Sequence, residues 1–343
     1  MEEELNFEIL PLVLPNAEEN VINKEKIRSI CSRTLEENPP EDRCLAWLVL
    51  LGVYPMNPSQ WDHVLEDIKD SYWLFVKEFK VDKWNEQLAI DNLACESIDL
   101  PDSQLMFRIY NDIIRTSRQI LFFPPQREYK IKHMLGSHIG YIRRLERILF
   151  VFAQCNRTLC YIQGFNEIIT PLYYVVIRAC ALFRNDNNLM EAVTFSMFQN
   201  LITSTRLQEL YTTQDQSSII FHCLDMFSSK LKVHMPQFAK SLEDLTIHPA
   251  IYSYRWFNLL FAQEYDLPTL LLLWDTLFSN IEDILDFCFY IGIAHLKQLE
   301  KSINIKDYSS TIITLQDLKS TNIVGVINDT YKIWETEKRA KKR

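Results

Sequence analysis

Two short stretches bring together residue types that phosphoryl-transfer chemistry uses. The first, Arg108-Ile-Tyr-Asn-Asp-Ile-Ile-Arg115-Thr116, ends in an arginine three residues beyond an aspartate. The second, Tyr161-Ile-Gln-Gly-Phe-Asn-Glu167, sets Gln163 just before a glycine in an otherwise apolar, helical setting. When GTP is hydrolysed, an arginine neutralises charge developing on the phosphates and a glutamine aligns the attacking water. The pair, more than either residue alone, points to a helper of hydrolysis that lends both side chains to a small GTPase.

Each residue also has a plainer use. On a helix, Arg108, Asp112 and Arg115 can touch and form a surface ion-pair ladder, contributing at most about 0.5 kcal/mol per pair. Alternatively, Asp112 holds Arg115 in one rotamer aimed outward from the helix end. That pre-aiming offsets the ~2 kcal/mol of side-chain entropy a free arginine loses on docking. Gln163, near a helix start, can bond to exposed backbone amides. Gly164 removes a side chain beside it, which lets a phosphate or another backbone approach closely. Tyr161 can pack its ring while its hydroxyl anchors a loop, and Tyr161 and Phe165 also suit a core.

Composition bounds what surrounds these residues. A chain of 343 residues, 48% hydrophobic with only 6 glycines, is long enough for a large packed core. Few glycines and the lack of Asn-Gly or Asp-Gly pairs weigh against an all-β design. A net charge of -9 disfavours general binding to nucleic acid or anionic membrane. The basic run Lys338-Arg339-Ala-Lys341-Lys342-Arg343 reads as a solvated tail. Eight cysteines, at 31, 44, 95, 155, 160, 180, 223 and 288, form no Cys-x-x-Cys pair, so no metal site is expected. The acidic start Met1-Glu-Glu-Glu lacks signal-segment character, which makes a reducing cytosol with free thiols the expectation. Phe165 to Phe183 contains Asn166, Glu167 and Arg178, and Ile284 to Leu296 is too short, so neither is expected to span a bilayer.

The positioning elements read as helices almost throughout. Residues 1–20 are expected to be extended and acidic, with Pro11 and Pro15 breaking any helix. Helices are expected over Asp42–Tyr54, Ser59–Phe79 and Ser103–Thr116, the last capped by Ser103. Ser137–Gln154 shows an amphipathic stripe of Ile142, Leu145, Leu149 and Phe152, with Arg143, Arg144, Glu146 and Arg147 largely on the other side. Thr158–Phe183 reads as one long helix entered through Tyr161 and Gln163, with a kink or break at Pro171. Arg184-Asn-Asp-Asn-Asn188 is the candidate linker. It divides a first lobe, 21–188, which carries Arg115 and Gln163, from a second, 189–335, followed by a basic tail, 336–343. The second lobe is expected to hold helices over 191–210, 217–233, 235–245, 250–265, 269–278 and 282–299.

Three ordered blocks make the chain resemble the TBC-domain family, activators of Rab-type small GTPases. Ile109, Asp112 and Arg115 match an Ile-x-x-Asp-x-x-Arg block, and Tyr161, Gln163, Gly164 and Asn166 match a Tyr-x-Gln-Gly-x-Asn block. Arg255-Trp256, Gln263-Glu264-Tyr265 and Trp274-Asp275 match the late block, and Arg43 with Trp47 fits the start of the domain. Leu145–Phe150 and Pro171–Tyr174 are similar to the subgroup of TBC1 domain family member thirteen, and the likeness runs from about residue 25 to 300. The resemblance implies an all-α, two-lobed domain working by two fingers. Arg115 would stabilise charge on the phosphates, Gln163 would orient the water, and Asp112, Tyr161, Gly164 and Asn166 would support them. Arg43, Trp47, Arg255, Trp256, Trp274 and Asp275 would be architectural. GTP and magnesium would come with the partner GTPase, with no cofactor or metal of the chain's own and no stand-alone hydrolase activity. The implied setting is cytoplasmic and peripheral at endomembranes through the GTPase, in vesicle trafficking and intracellular protein transport. The rival is a non-catalytic scaffold of the same family that binds a GTP-loaded Rab or another partner without hydrolysis. Leu272 stands where the late block often has arginine, Cys44 where glycine is usual and Phe165 in place of a common methionine. None of the three is a finger.

Overall fold

The computed structural model describes residues 6–14, 21–86, 102–126, 133–211, 216–300, 303, 307–318 and 322–341. All regular structure among these residues is helical. The chain divides into two compact units, Met1–Ser204 and Thr205–Arg343.

The first unit is built around the helix Ile139–Cys155, of whose 17 residues 14 are buried. Such burial departs from the amphipathic expectation. Arg143, Glu146 and Arg147 are fully buried because Trp61–Glu78, Trp84–Glu86 and Asn187–Thr203 cover the charged face. Each charge there has a close partner, as a low-dielectric interior demands. Arg143 donates to Glu146 Oε2 at 2.7 Å, and the Trp84 indole donates to the same oxygen at 2.7 Å. Arg147 makes a two-pronged pair with Glu191, at 2.6 and 2.7 Å, and Tyr72 donates to Glu191 at 2.6 Å. The Arg147 guanidinium also lies 4.7 Å from the centre of the Trp73 ring.

Several expected boundaries move for local reasons. Leu10–Val13 form a short helix rather than an extended segment, with Pro11 in the first turn, where its missing N–H costs nothing. Buried Asp42 fixes that turn by accepting from the backbone amides of Glu8, Ile9 and Leu10. Residues 1–5 and 15–20 of the expected acidic segment lie outside the described residues. Arg184 and Asn185 adopt positive φ, and Asp186 then caps Asn187–Thr203 by accepting from the amides of Asn188 and Leu189. That helix packs on Trp61–Glu78 and Phe165–Arg178, and the division between units falls after it, past Ser204.

The second unit centres on Ile284–Leu299, which is buried along most of its length and packs on Gln216–His234, Tyr254–Asn258, Leu267–Ser279 and Ile323–Lys341. Gly292 fits closely here. A Cβ at that position would lie 3.0 Å from Phe227 and 3.2 Å from Trp256, both packed rings. The expected helix over 250–265 stops at Asn258, because Leu260 and Phe261 take positive φ. The carbonyl freed at Leu260 accepts from the Trp274 indole at 2.9 Å, which accounts for a tryptophan there. Ile323–Lys341 is helical, so the start of the expected basic tail is the last part of a helix.

Candidate functional site

The helix Ser103–Arg115 carries the first candidate. Asp102, one residue before the expected Ser103, caps it by accepting from the Leu105 amide at 2.8 Å. Leu105, Met106, Ile109 and Ile113 are buried, and the helix packs on Ile139–Cys155 and Phe165–Arg178. Arg115 is its last residue, with a side chain 71% exposed and, among the described residues, a single ion pair at 3.4 Å to Asp112 Oδ1. Arg108 is exposed and makes no ion pair with Asp112 among the described residues, so the three-member ladder does not form.

Gln163 sits in a loop rather than inside the long helix expected over 158–183. Cys160 and Gly164 have φ of 55° and 107°, values a helix cannot hold, and regular helix begins only at Phe165. It ends at Arg178, runs through Pro171 without a break, and is followed by a short 3-10 turn, Cys180–Phe183. The positive φ at Gly164 is the conformation only glycine adopts freely. The turn leaves the Gln163 side chain exposed and free of hydrogen bonds among the described residues. The amide-capping use open to Gln163 is filled instead by Asn166, whose Oδ1 accepts from the Gly164 amide at 3.1 Å.

Buried polar groups link the Arg115 side chain to the backbone beside Gln163. Tyr161, 4% exposed, donates to Asp112 Oδ2 at 2.9 Å, so Asp112 holds Arg115 with one oxygen and Tyr161 with the other. Burial, then the Asp112 charge, pushes the Tyr161 hydroxyl far above its usual range, which keeps it a proton donor. Asn166 Nδ2 donates to the Asp112 carbonyl at 3.1 Å and to Thr116 Oγ1 at 2.6 Å. Buried Glu167 accepts from Gln119 at 3.1 Å and pairs with Arg118 at 3.5 Å. Asp112, Tyr161, Gly164 and Asn166 are therefore brought together; Thr116 joins them, and Gln119 and Glu167 form a buried pair beside them in the chain, without having been singled out in the sequence. Their one signal was that they are polar side chains close after the two motifs.

The remaining signature residues lie elsewhere. Trp47, Trp256, Trp274 and Asp275 are fully buried. Arg43 donates to the Leu35 carbonyl at 2.9 Å, and Arg255 pairs with Glu264 at 3.1 Å. Cys44 is fully buried, Leu272 is 8% exposed, and Phe165 packs edge-on against Phe152 and Phe198. Among the described residues no group of three or more His, Cys, Asp or Glu side chains could hold a metal ion. Nor is any helix among them long and apolar enough to cross a membrane.

An exposed arginine bonded to a buried network, and an exposed glutamine next to a glycine whose amide bonds to the same network, are suited to act on a ligand held by another molecule. The family model described as Rab-GTPase-TBC domain matches residues 41–304. The chain belongs to that family. It is 24% identical to human TBC1 domain family member 13 over 86% of this chain and 90% of the relative. It is also 24% identical to the TBC domain-containing protein C1952.17c of Schizosaccharomyces pombe, over 94% of this chain and 72% of the relative. The fold is similar to the crystal structure of the Ypt/Rab-GAP domain of Gyp1p, with a TM-score of 0.72 and 18% identity over 96% and 97% of the two chains. The two units and their helices are thus those of an all-α TBC domain.

Proposed function

We propose that the chain is a GTPase-activating protein for a Rab-type small GTPase and that it supplies Arg115 and Gln163 in trans. The observation that carries this reading is one buried network that bonds both the Arg115 side chain and the Gly164 amide beside exposed Gln163, in a Rab-GTPase-TBC domain. Arg115 enters the nucleotide site and stabilises charge spreading onto the β- and γ-phosphate oxygens. Gln163 orients the hydrolytic water. Arginine fingers of this kind accelerate hydrolysis by ~10³–10⁵, or about 4–7 kcal/mol of barrier. Asp112 and Tyr161 reduce the conformational freedom that Arg115 loses on docking. GTP and magnesium are the partner's.

The GTPase partner carries the membrane attachment, and the chain acts at endomembranes in vesicle trafficking when it meets a GTP-loaded Rab there. The test is phosphate release from a panel of GTP-loaded Rab-type GTPases with sub-stoichiometric chain. Acceleration of one or a few members supports the proposal. Binding of a GTP-loaded member without acceleration would replace it by the scaffold reading.

A further inference from the structure

We propose that Thr116 is a positioning residue that makes the two fingers a single unit, with the Asn166 amide as the link. The proposal rests on the reading of Arg115 and Gln163 as the groups that enter the GTPase. Thr116 directly follows Arg115, and Gly164 directly follows Gln163. Both following residues are buried, and both bond to the same side chain.

The hydrogens in this cluster can be assigned. Thr116 Oγ1 has one proton, which goes to the Asp112 carbonyl at 3.1 Å, leaving its lone pairs for Asn166 Nδ2 at 2.6 Å. The other Nδ2 hydrogen goes to the Asp112 carbonyl at 3.1 Å. Asn166 Oδ1 is then the acceptor for the Gly164 amide at 3.1 Å. The reversed amide would put Nδ2 against the Gly164 N–H and Oδ1 against a carbonyl, so one orientation satisfies every group. The single Tyr161 proton serves Asp112 Oδ2 at 2.9 Å, and the 3.4 Å approach of that hydroxyl to Asn166 Oδ1 is a contact.

Thr116 is fully buried and Asn166 is 4% exposed, so water does not readily replace a lost partner. Removing the Thr116 hydroxyl leaves one Asn166 hydrogen unsatisfied, so the amide is held by two bonds instead of three, to the Asp112 carbonyl and the Gly164 N–H. The loosened amide holds the Gly164 N–H less firmly, and with it the positive-φ turn that presents Gln163. The turn at Gln163 is thus held in part by a hydroxyl 48 positions before Gly164 (164 − 116). A threonine serving only as a helix end would not transmit that change.

The experiment compares the full chain with Thr116→Val, which keeps the shape and loses the hydroxyl, and Thr116→Ser, which keeps the hydroxyl. Hydrogen exchange of the Gly164 amide is read first, with no GTPase present. Thr116→Val exchanges at least about tenfold faster there, the size expected when one buried hydrogen bond is lost, while amides in the middle of Ile139–Cys155 keep the wild-type rate. Thr116→Ser behaves as wild type. On a responsive GTPase, Thr116→Val lowers the saturating single-turnover rate roughly ten- to a hundredfold, the penalty of a misplaced catalytic group. The half-saturating concentration stays within about twofold of wild type. Unchanged Gly164 exchange, a full saturating rate, or exchange raised equally throughout the unit would overturn the proposal. Should Thr116→Val fail to fold, Thr116→Ala is read in the same way. If wild type accelerates no GTPase, the functional reading fails, while Gly164 exchange still decides the coupling.

Discussion

At the residue scale, the account turns on two side chains that contribute little to the fold. Arg115 is 71% exposed and Gln163 makes no hydrogen bond among the described residues. Arg115→Ala is expected to lose the stimulated rate by about 10³-fold or more, and Arg115→Lys nearly as much, because an ammonium lacks the planar fork. Calorimetric melting of either variant should stay within about 2 °C of wild type, as exposed substitutions do. A large drop in melting temperature would assign Arg115 to structure instead. Tyr161→Phe removes a buried donor from Asp112 and should destabilise by about 1–2 kcal/mol in urea unfolding. Residue types and order made Arg115, Asp112, Gln163 and Tyr161 legible in the sequence. The Asp112–Arg115 pair was legible from its helical spacing, whereas the bonds from Tyr161 and Asn166 to Asp112 were not, because those partners lie 49 and 54 positions apart. The ladder through Arg108, one of the two uses open in the sequence, does not form among the described residues, since helical spacing permits a contact without requiring it.

At the scale of elements, the helix Ile139–Cys155 carries the clearest lesson. Its apolar stripe was readable, but a helical wheel cannot say whether the other face meets water or protein. The answer depended on Glu191, 44 residues from Arg147, and on Trp84, 62 residues before Glu146. Glu191→Gln leaves Arg147 buried with half its compensation and should destabilise by about 3–5 kcal/mol. The double variant Arg147→Leu/Glu191→Leu should cost less than the sum of the single changes, and simple additivity in urea unfolding would contradict the buried-pair description. On Ile284–Leu299, burial pushes the His295 imidazole down to about 3, and it stays neutral against the Tyr265 hydroxyl. An unfolded histidine takes its proton near pH 6.5. Its stability contribution is therefore whole above about 6.5, erodes as pH falls toward about 3, and is level below that. Wild type should lose about 1.4 kcal/mol per pH unit relative to His295→Asn across that window. Parallel pH profiles in urea unfolding would contradict a neutral buried His295.

At the scale of the whole molecule, scarce glycine and long helical periodicity were enough to read an all-α chain. Where the units divide was less legible. Arg184–Asn188 has the polar composition of a linker, yet Asp186 caps a helix whose apolar side packs back into the first unit. Arg115 and Gln163 belong to the first unit, whereas Arg255, Trp256, Trp274 and Asp275 belong to the second. Net charge bears on how the molecule reaches its partner. At -9, the chain alone should not sediment with vesicles of anionic lipid, and a vesicle-anchored, GTP-loaded partner should recruit it. Equal sedimentation with and without the GTPase would contradict attachment through the partner.

The most direct test is single-turnover phosphate release from a responsive GTP-loaded Rab-type GTPase, with wild type beside Arg115→Ala and Gln163→Ala. The account predicts strong acceleration by wild type and its near-complete loss in both variants, with folding and binding retained. Full acceleration by either variant would contradict the two-finger mechanism.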